Sequence, residues 1–546
     1  MPAITFDRFD FGLDLRKGPS TSDANRLRVL TNAYATTGRT IKKRPGTVKI
    51  ADLEAGTVGL SAGKGKLNTF YAGASTITHA DTTFEANKLL HPTTPALELS
   101  RMWYSDVFNG YLYVSAEYTD GSIKHHYLED TLRGVTITIA SPAVFTQVGH
   151  GYVAGDAITF GTTGALPTGL TVAATYYVIA AGLTADTYQV SATIGGAAVN
   201  TSGTQSGIQV VARRTWISDV NCPNTKAVIK KAQSIWAIGT TGDTVRFTAT
   251  SNPRDWTTAS DAGFLPVGLQ QSGATVAKGL GEYNSQLLVL FPDSAQVWTV
   301  DTAPTNNALA QIVDVGSKHP YSHANMSGDV FFLSPQGVRS ITNLENTSNL
   351  IDVDVGSPVD SLITSIFGSN SPRALYYRGG GQFWMYYGTK ALVYTFSRSG
   401  KISAWSIYEF PYSLDYLTEL DATLYIRSGN DVYRMDDTAF DDDGVTFTVT
   451  AELAFVDFKM PGVLKQVWGM DLVLTGTGTI AHRYDVRSPD LITTPPVELT
   501  GDSRPGRILP VELLATNLAP VIVNHDAADF ELHAITYYFE NLGVQV

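Results

Sequence analysis

Two ingredients are scarce in this sequence: cysteine and charge. Among 546 residues there is a single cysteine, Cys222. A lone thiol excludes an intramolecular disulfide, so the fold must rest on packing, and assembly in a reducing compartment is compatible with that. Charged residues make up 16% of the chain, against about 25% in ordinary globular domains. With 43% apolar and 10% aromatic residues, the composition excludes both a disordered chain and a coiled coil. Long apolar runs are missing too: none approaches the ~18 residues of a membrane-spanning helix. The opening MPAITFDRFDF lacks the basic stretch and apolar core of a signal peptide. The expectation is a soluble chain not secreted by a signal peptide. At about 150 residues per domain, it should divide into roughly three or four units.

What is abundant is turn and strand chemistry. Gly 49 and Pro 24 punctuate short bursts of Val, Ile, Thr, Tyr and Phe, which predicts an all-β protein. From 51 to 134 and again from 213 to 440, one unit recurs: NGYLYV at 109–114, SQLLVLFPDSAQVWTV at 285–300, GDVFFLSPQGVRSI at 328–341, GQFWMYYGTKALVYTF at 381–396 and DATLYIRSGNDVYRMD at 421–436. KAQSIWAIGTTGDTVRFTATSNPRDWT at 231–257 is a longer copy. Each couples an apolar strand to a polar turn and a second strand, and the spacing of roughly 40 to 50 residues predicts a β-propeller-like core, with a large β-sandwich as its rival. Residues 135–212 break the composition, carrying Asp156 and Asp186 as their only charged residues. They read as a small β module inserted into a loop of the core, with its two ends close together. Such sparse charge suggests packing against a partner. After the acidic turn DDTAFDDDG at 436–444, longer alternating strands in 441–546 predict a C-terminal β-sandwich domain, with GDSRPGRILPVELL as a possible long connection.

The formal charge is −12, which argues against phosphate neutralisation over the whole surface. Residues 1–50 depart from this, with ten Lys or Arg against four Asp, a balance of +6 that leaves −18 on the remainder. This stretch reads as an extended N-terminal arm. SDANRLRVL could form a helical turn capped by Ser22 or Asp23, and Arg44-Pro45-Gly46-Thr47 is a turn signal.

Catalytic signatures do not assemble. Gly59-Leu60-Ser61-Ala62-Gly63-Lys64 is one residue too short for a phosphate-binding loop, with Gly65 where Ser or Thr should stand, so a hairpin turn is expected. Gly279 and Gly281 lack the third glycine of a dinucleotide fingerprint and read as turn residues. His125 and His126 would point to opposite faces of a strand, and Pro320 breaks the helix that would align His319 with His323, so neither pair predicts a metal site. Asp441, Asp442, Asp443 and Gly444 resemble part of a calcium loop without its full spacing, and a solvated linker is expected. Cys222 has no nucleophile signature around it, and no Ser-nucleophile elbow or His-Glu-x-x-His helix occurs. Carboxylates distant in sequence could still meet to cleave a sugar. The aromatic groups Trp103-Tyr104, Tyr376-Tyr377, Phe383-Trp384 and Tyr386-Tyr387 could stack on sugar rings, but packing is the expected role. No catalytic, cofactor-binding or metal-binding residue is therefore assigned.

The N-terminal order DFGLDLRKGPS followed by LTNAYATTGRTIKKRPGT, with Asn32-Ala33-Tyr34 and Arg44-Pro45-Gly46, resembles the tail nozzle, or packaged-DNA-stabilising, proteins of short-tailed, podovirus-like bacteriophages. Ser251-Asn252-Pro253-Arg254-Asp255-Trp256 resembles their blade motif, and Lys465-Gln466-Val467 a strand of their C-terminal domain. VGHGYVAGDAITF with LPTGL and TYYV is similar to a small β module inserted in phage structural proteins. The resemblance implies a structural virion protein without catalysis, assembled in the bacterial host cytoplasm as a ring, a homo-hexamer, below the portal and adaptor. It would extend or close the DNA channel, take part in DNA ejection, support fibres, spikes or a needle, and pass genomic DNA without sequence-specific binding. The basic arm would dock on an acidic ring or touch DNA, and the insertion would face a fibre or the host. A rival of another class is a carbohydrate-binding or capsule-degrading β-propeller tail component. A tail adaptor is a third reading, weakened by the lack of a long helical pattern.

Overall fold

The computed structural model describes residues 2–18, 23–73, 75–129, 131–271, 273, 276–326, 328–342, 354–397, 399–490, 493–500 and 506–544. The described chain is mostly β-strand, with a helix at Asp360–Phe367 and short 3-10 turns. Its residues divide into two compact units, one of 53–320 and one of 1–52 with 321–546.

The unit 53–320 contains small sheets built from consecutive strands, of three strands in 58–88, three in 99–127, four in 228–265 and four in 279–313. Tight two-residue turns join many of the strand pairs. At Lys64-Gly65, Asn109-Gly110, Ala232-Gln233 and Asn284-Ser285 both turn residues have positive φ. That is the geometry whose twist matches a hairpin, and Gly or Asn enters it at least cost. The hairpin turn expected in Gly59–Lys64 falls at Lys64-Gly65, and Gly59–Gly63 lies in the strand that leads into it. Gly279 and Gly281, expected in turns, lie instead inside the buried strand Gly279–Tyr283. A side chain at Gly279 would meet the Pro320 carbonyl at 2.9 Å, so close backbone approach, not a turn, accounts for that glycine.

Residues 133–213 form a seven-stranded sheet within this unit. Arg133–Gly134 pairs with Gln209–Arg213, so the chain enters and leaves side by side. The sheet has an apolar core of its own, in which Phe145 stacks on Phe160 at 4.8 Å and on Tyr188 at 5.4 Å.

In the other unit, small sheets of the same kind occupy 324–340 and 416–436, the latter completed by Gly46–Asp52. Two larger sheets share one core: one contains Ala33–Ala35, Ile41–Lys43, Glu531–Val544, Val463–Thr475 and Leu509–Ala515, and the other, nine-stranded, runs from the four strands of 373–409 through Leu27–Thr31, Val449–Leu453, Ala519–Asn524 and Gly478–Arg483 to Val497–Leu499. The strand Gln382–Tyr387 separates two cores. Phe383 packs into one and Trp384 into the other, because successive strand residues point to opposite faces.

The first 50 residues are not a free arm. Ala3–Phe6 pairs with Glu531–Val544, Leu27–Thr31 pairs with Val449–Leu453, and Gly46–Asp52 pairs with Asp431–Asp436. A single turn does form at Asp23, whose carbonyl accepts from the Arg26 amide at 3.1 Å, and in place of further helix the strand from Leu27 follows, with Leu27 and Leu30 buried; Ser22 lies outside the described residues. Among the described residues, seven of the ten basic side chains in 1–50 form ion pairs within the unit. Arg16 and Arg26 bind Asp14, Arg28 binds Glu452, Lys49 binds Asp52 and Asp431, and Arg44 binds Asp442. The physical reason is pairing: an isolated strand leaves its backbone groups unsatisfied, and a ladder with strands of the body satisfies them.

Phe383→Ala and Trp384→Ala should each lower unfolding free energy by about 3–5 kcal/mol. Because the rings occupy separate cores, the double variant should lose close to the sum, measured by denaturant titration. A large departure from additivity would mean that the strand does not divide the two cores.

Candidate functional site

The site is built outward from Arg44. Its guanidinium is closed from solvent and uses all five of its N–H donors. Nη1 donates to Asp442 Oδ1 at 2.9 Å and to the Pro45 carbonyl at 3.0 Å. Nη2 donates to Asp442 Oδ2 at 2.5 Å and to the Glu409 carbonyl at 2.8 Å. Nε donates to Asn32 Oδ1 at 3.1 Å. Asn32 is left-handed, with φ 55, a conformation that asparagine tolerates better than most residues. Its Oδ1 also accepts from the Glu409 amide at 2.8 Å, while Nδ2 donates to the Thr448 carbonyl at 2.9 Å. One buried amide thus holds the ends of two strands against the arginine.

Phe447 and Phe410 cover the guanidinium, with ring centroids 3.7 and 4.3 Å from its carbon. Above them lies a cleft of about 410 Å³, within the roughly 300–1,000 Å³ range of small-molecule sites. Thr31 and Thr450 stand directly opposite each other across the strand pair. Alternation puts Thr448 on the same face as Thr450, while Val449 and Ala451 turn into the core. Glu409 and Thr446 also line the cleft. The exposed Glu409 carboxylate is 2.8 Å from Lys390 Nζ. Hydroxyls that donate and accept, a carboxylate that accepts, and ring surface are therefore gathered in one depression.

The acidic turn is the residue set that sequence reading placed least well. Asp442 is not in a solvated linker but buried on Arg44, with Thr47 Oγ1 donating to Oδ1 at 3.0 Å. Its neighbours cap the turn: the Gly444 amide donates to Asp441 Oδ1, and the Lys49 amide to Asp443 Oδ1. The Arg-Pro-Gly sequence has a steric cause here, since a side chain at Gly46 would sit 2.1 Å from the Asp441 carbonyl. The Thr31–Thr450 face was missed altogether. Alternation in VTFTVTAEL was its available signal, but which face stays open is a tertiary fact.

The other candidates are packed. His125 and His126 are both fully buried, on opposite sides of their strand. His125 Nδ1 is 2.9 Å from Tyr113 Oη and Nε2 2.8 Å from the Thr225 carbonyl. His126 is 2.9 Å from both Tyr118 Oη and Thr215 Oγ1. Burial lowers their pKa values to about 4 and about 3. Cys222 is buried 3.5 Å from His125 Nδ1, and burial pushes its thiol up to about 12. It is no thiolate nucleophile. Residues 317–323, with His319 and His323, carry no helix, and among the described residues no cluster of three potential metal ligands occurs. Of the aromatic pairs, Phe383 and Trp384 are buried, and Tyr386 is buried beside an exposed Tyr387. Trp103 lies under Arg101 and Lys226 at 4.8 and 4.3 Å, with Nε1 donating to Glu117. Tyr376 and Tyr377 are half-buried.

No protein-family profile and no curated protein matches the chain. Among solved structures it is similar to an exo-β-1,3-galactanase from Phanerochaete chrysosporium with galactose, at 11% identity and a TM-score of 0.20 over 74% of this chain and 100% of the other. It is also similar to a glycoside hydrolase family 43 arabinoxylan arabinofuranohydrolase from Bacillus subtilis in complex with cellotetraose, at 11% identity and a TM-score of 0.16 over 80% and 95%. These are carbohydrate-active enzymes, not phage tail proteins. The tail-nozzle reading, and with it the virion role, the expected lack of catalysis, and the ring, adaptor, portal, fibre, spike, needle and DNA partners, finds no support among them. Similarity at this level transfers no activity, substrate or residue to this chain.

Removing one partner of the buried pair, as in Asp442→Ala, should cost about 3–5 kcal/mol in a denaturation experiment, because Arg44 is left charged and dry. A loss below about 1 kcal/mol, the level of a surface pair, would contradict that burial. The histidines set an acid limit. Unfolded, they protonate near 6.5; folded, only near 4 and 3. The unfolded chain thus binds more protons in that window, and stability should fall as pH drops from about 6.5 towards 4. His126→Gln should flatten that slope by up to one proton, and an unchanged slope would refute the assignment.

Proposed function

We propose that this chain is a carbohydrate-active protein that receives a glycan in the cleft above Arg44. The observation that carries the reading is the chemistry of the lining. Sugar hydroxyls both donate and accept, which the hydroxyls of Thr31, Thr448 and Thr450 can match, and Glu409 can accept from two neighbouring hydroxyls. Sugar C–H faces suit the rings of Phe410 and Phe447. Glycosidic cleavage takes two carboxyl groups about 5–10 Å apart. The cleft lining supplies Glu409, so glycan binding is the step its own residues support, and hydrolysis is measured beside it.

For the architecture we infer a β-propeller-like core made by 51–134 and 213–440, an inserted β module at 135–212 and a C-terminal β-sandwich from 441 onward. What supports it is the series of small sheets made from consecutive strands and the completion of the 416–436 sheet by Gly46–Asp52 from the N-terminal region.

The test is calorimetric titration with neutral galacto-, arabino-, xylo- and cello-oligosaccharides, with release of reducing ends followed in parallel. At least one should bind. Glu409→Gln should weaken binding about tenfold, as expected for about 1.4 kcal/mol from a charge-assisted hydrogen bond. If no glycan in the panel binds and none is cleaved, the reading fails.

A further inference from the structure

Lys43 has unusual surroundings for a lysine. The residue is 1% exposed, and its nearest side-chain oxygen belongs to Asn524, itself fully buried. Nζ lies 3.2 Å from Asn524 Oδ1, donates to the Asp526 carbonyl, and sits 4.5 Å from the centroid of Phe447. Among the described residues no carboxylate forms an ion pair with it. On the other side of the amide, Asn524 Nδ2 donates to the Thr477 carbonyl at 2.9 Å, and the Thr477 hydroxyl reaches the Asp526 carboxylate. The lysine nitrogen is thus held against the carbonyl of one particular amide, while the nitrogen of that amide is held on the far side.

We propose that Lys43 and Asn524 are the partners of an intramolecular isopeptide cross-link. Neutral Nζ attacks Cγ of Asn524 and forms a C–N bond. A proton from Nζ passes to Nδ2, the Cγ–Nδ2 bond breaks, and ammonia leaves. No oxidant, reductant or second substrate enters, and the product is a secondary amide between two strands. Three features favour the step. Contact at hydrogen-bond distance replaces a bimolecular encounter by an intramolecular one. The water-poor surroundings of both groups oppose hydrolysis of the product. The amine is also easier to deprotonate than usual: burial first, and then the adjacent Arg44 charge, bring its pKa down to about 8, against opposing contributions from Asp526, Asp442 and Asp441. A neutral amine is the nucleophilic form of lysine.

The cross-link would join Ile41–Lys43, in one of the large sheets, to the end of Ala519–Asn524 in the other. It would close a loop spanning most of the chain, the arrangement in which a covalent tie removes most freedom from the unfolded state. The inference is independent of the glycan reading, since neither group needs to touch a ligand.

The experiment is mass spectrometry of the full chain after incubation at pH 9. The intact mass should be lower than that of the sequence by one ammonia, and proteolysis should yield a branched peptide containing Lys43 and Asn524. Lys43→Arg should retain the full mass and give linear peptides. Peptide mapping is required because Asn109-Gly110 could also lose ammonia by cyclising. Linear Lys43 and Asn524 peptides from the incubated wild-type chain, whatever its intact mass, would overturn the proposal.

Discussion

The arginine at position 44 is the point on which the N-terminal strands, the acidic turn and the cleft all depend. A guanidinium without solvent is costly unless every donor is used. Here the five donors go to one carboxylate, two backbone carbonyls and one amide oxygen. The acceptors come from residues 32, 45, 409 and 442, so the charge cannot be satisfied until distant parts of the chain have met. That requirement fixes where the turn at 439–446 lies, and the turn carries Phe447 over the guanidinium. The cleft is the outer surface of this arrangement.

The same logic explains why a basic N-terminal region on an acidic protein is not a docking arm. Most of its cations are counter-charges for acids of the same unit, among them Asp14, Glu452, Asp431 and Asp442. Local net charge describes composition, whereas availability to a partner depends on what each side chain already touches. Glu452 makes the point. It is 3% exposed and lies between Arg28 and Arg483, on the outer face of the strand that also presents Thr448 and Thr450. Along one strand, the open cleft passes into a closed ionic cluster.

Much of the β architecture was legible. Asn109-Gly110 and Lys64-Gly65 announce hairpins because glycine enters positive φ without a side-chain penalty. Ala232-Gln233 and Asp421-Ala422 make the same excursion with no such signal, since strand pairing on both sides imposes it. Residues 133–213, where charge is nearly absent, form a sheet with an apolar core of its own. Gly279 and Gly281 stand in a strand and not in turns, because glycine serves both turns and crowded strands and sequence does not distinguish them.

By itself, the sequence determined that the chain would be rich in short strands, that no disulfide within it would hold them, and that His125 and His126, as neighbours on a strand, could not share one metal ion. These follow from local geometry and residue chemistry. Only tertiary structure decided that Asp442 would face inward, that Thr31 would stand opposite Thr450, and that Lys43 would rest against Asn524. Each is a meeting of residues hundreds of positions apart. The deciding physics is desolvation: a buried charge or amide must find its partner in space, and chain distance carries no information about which partner that is.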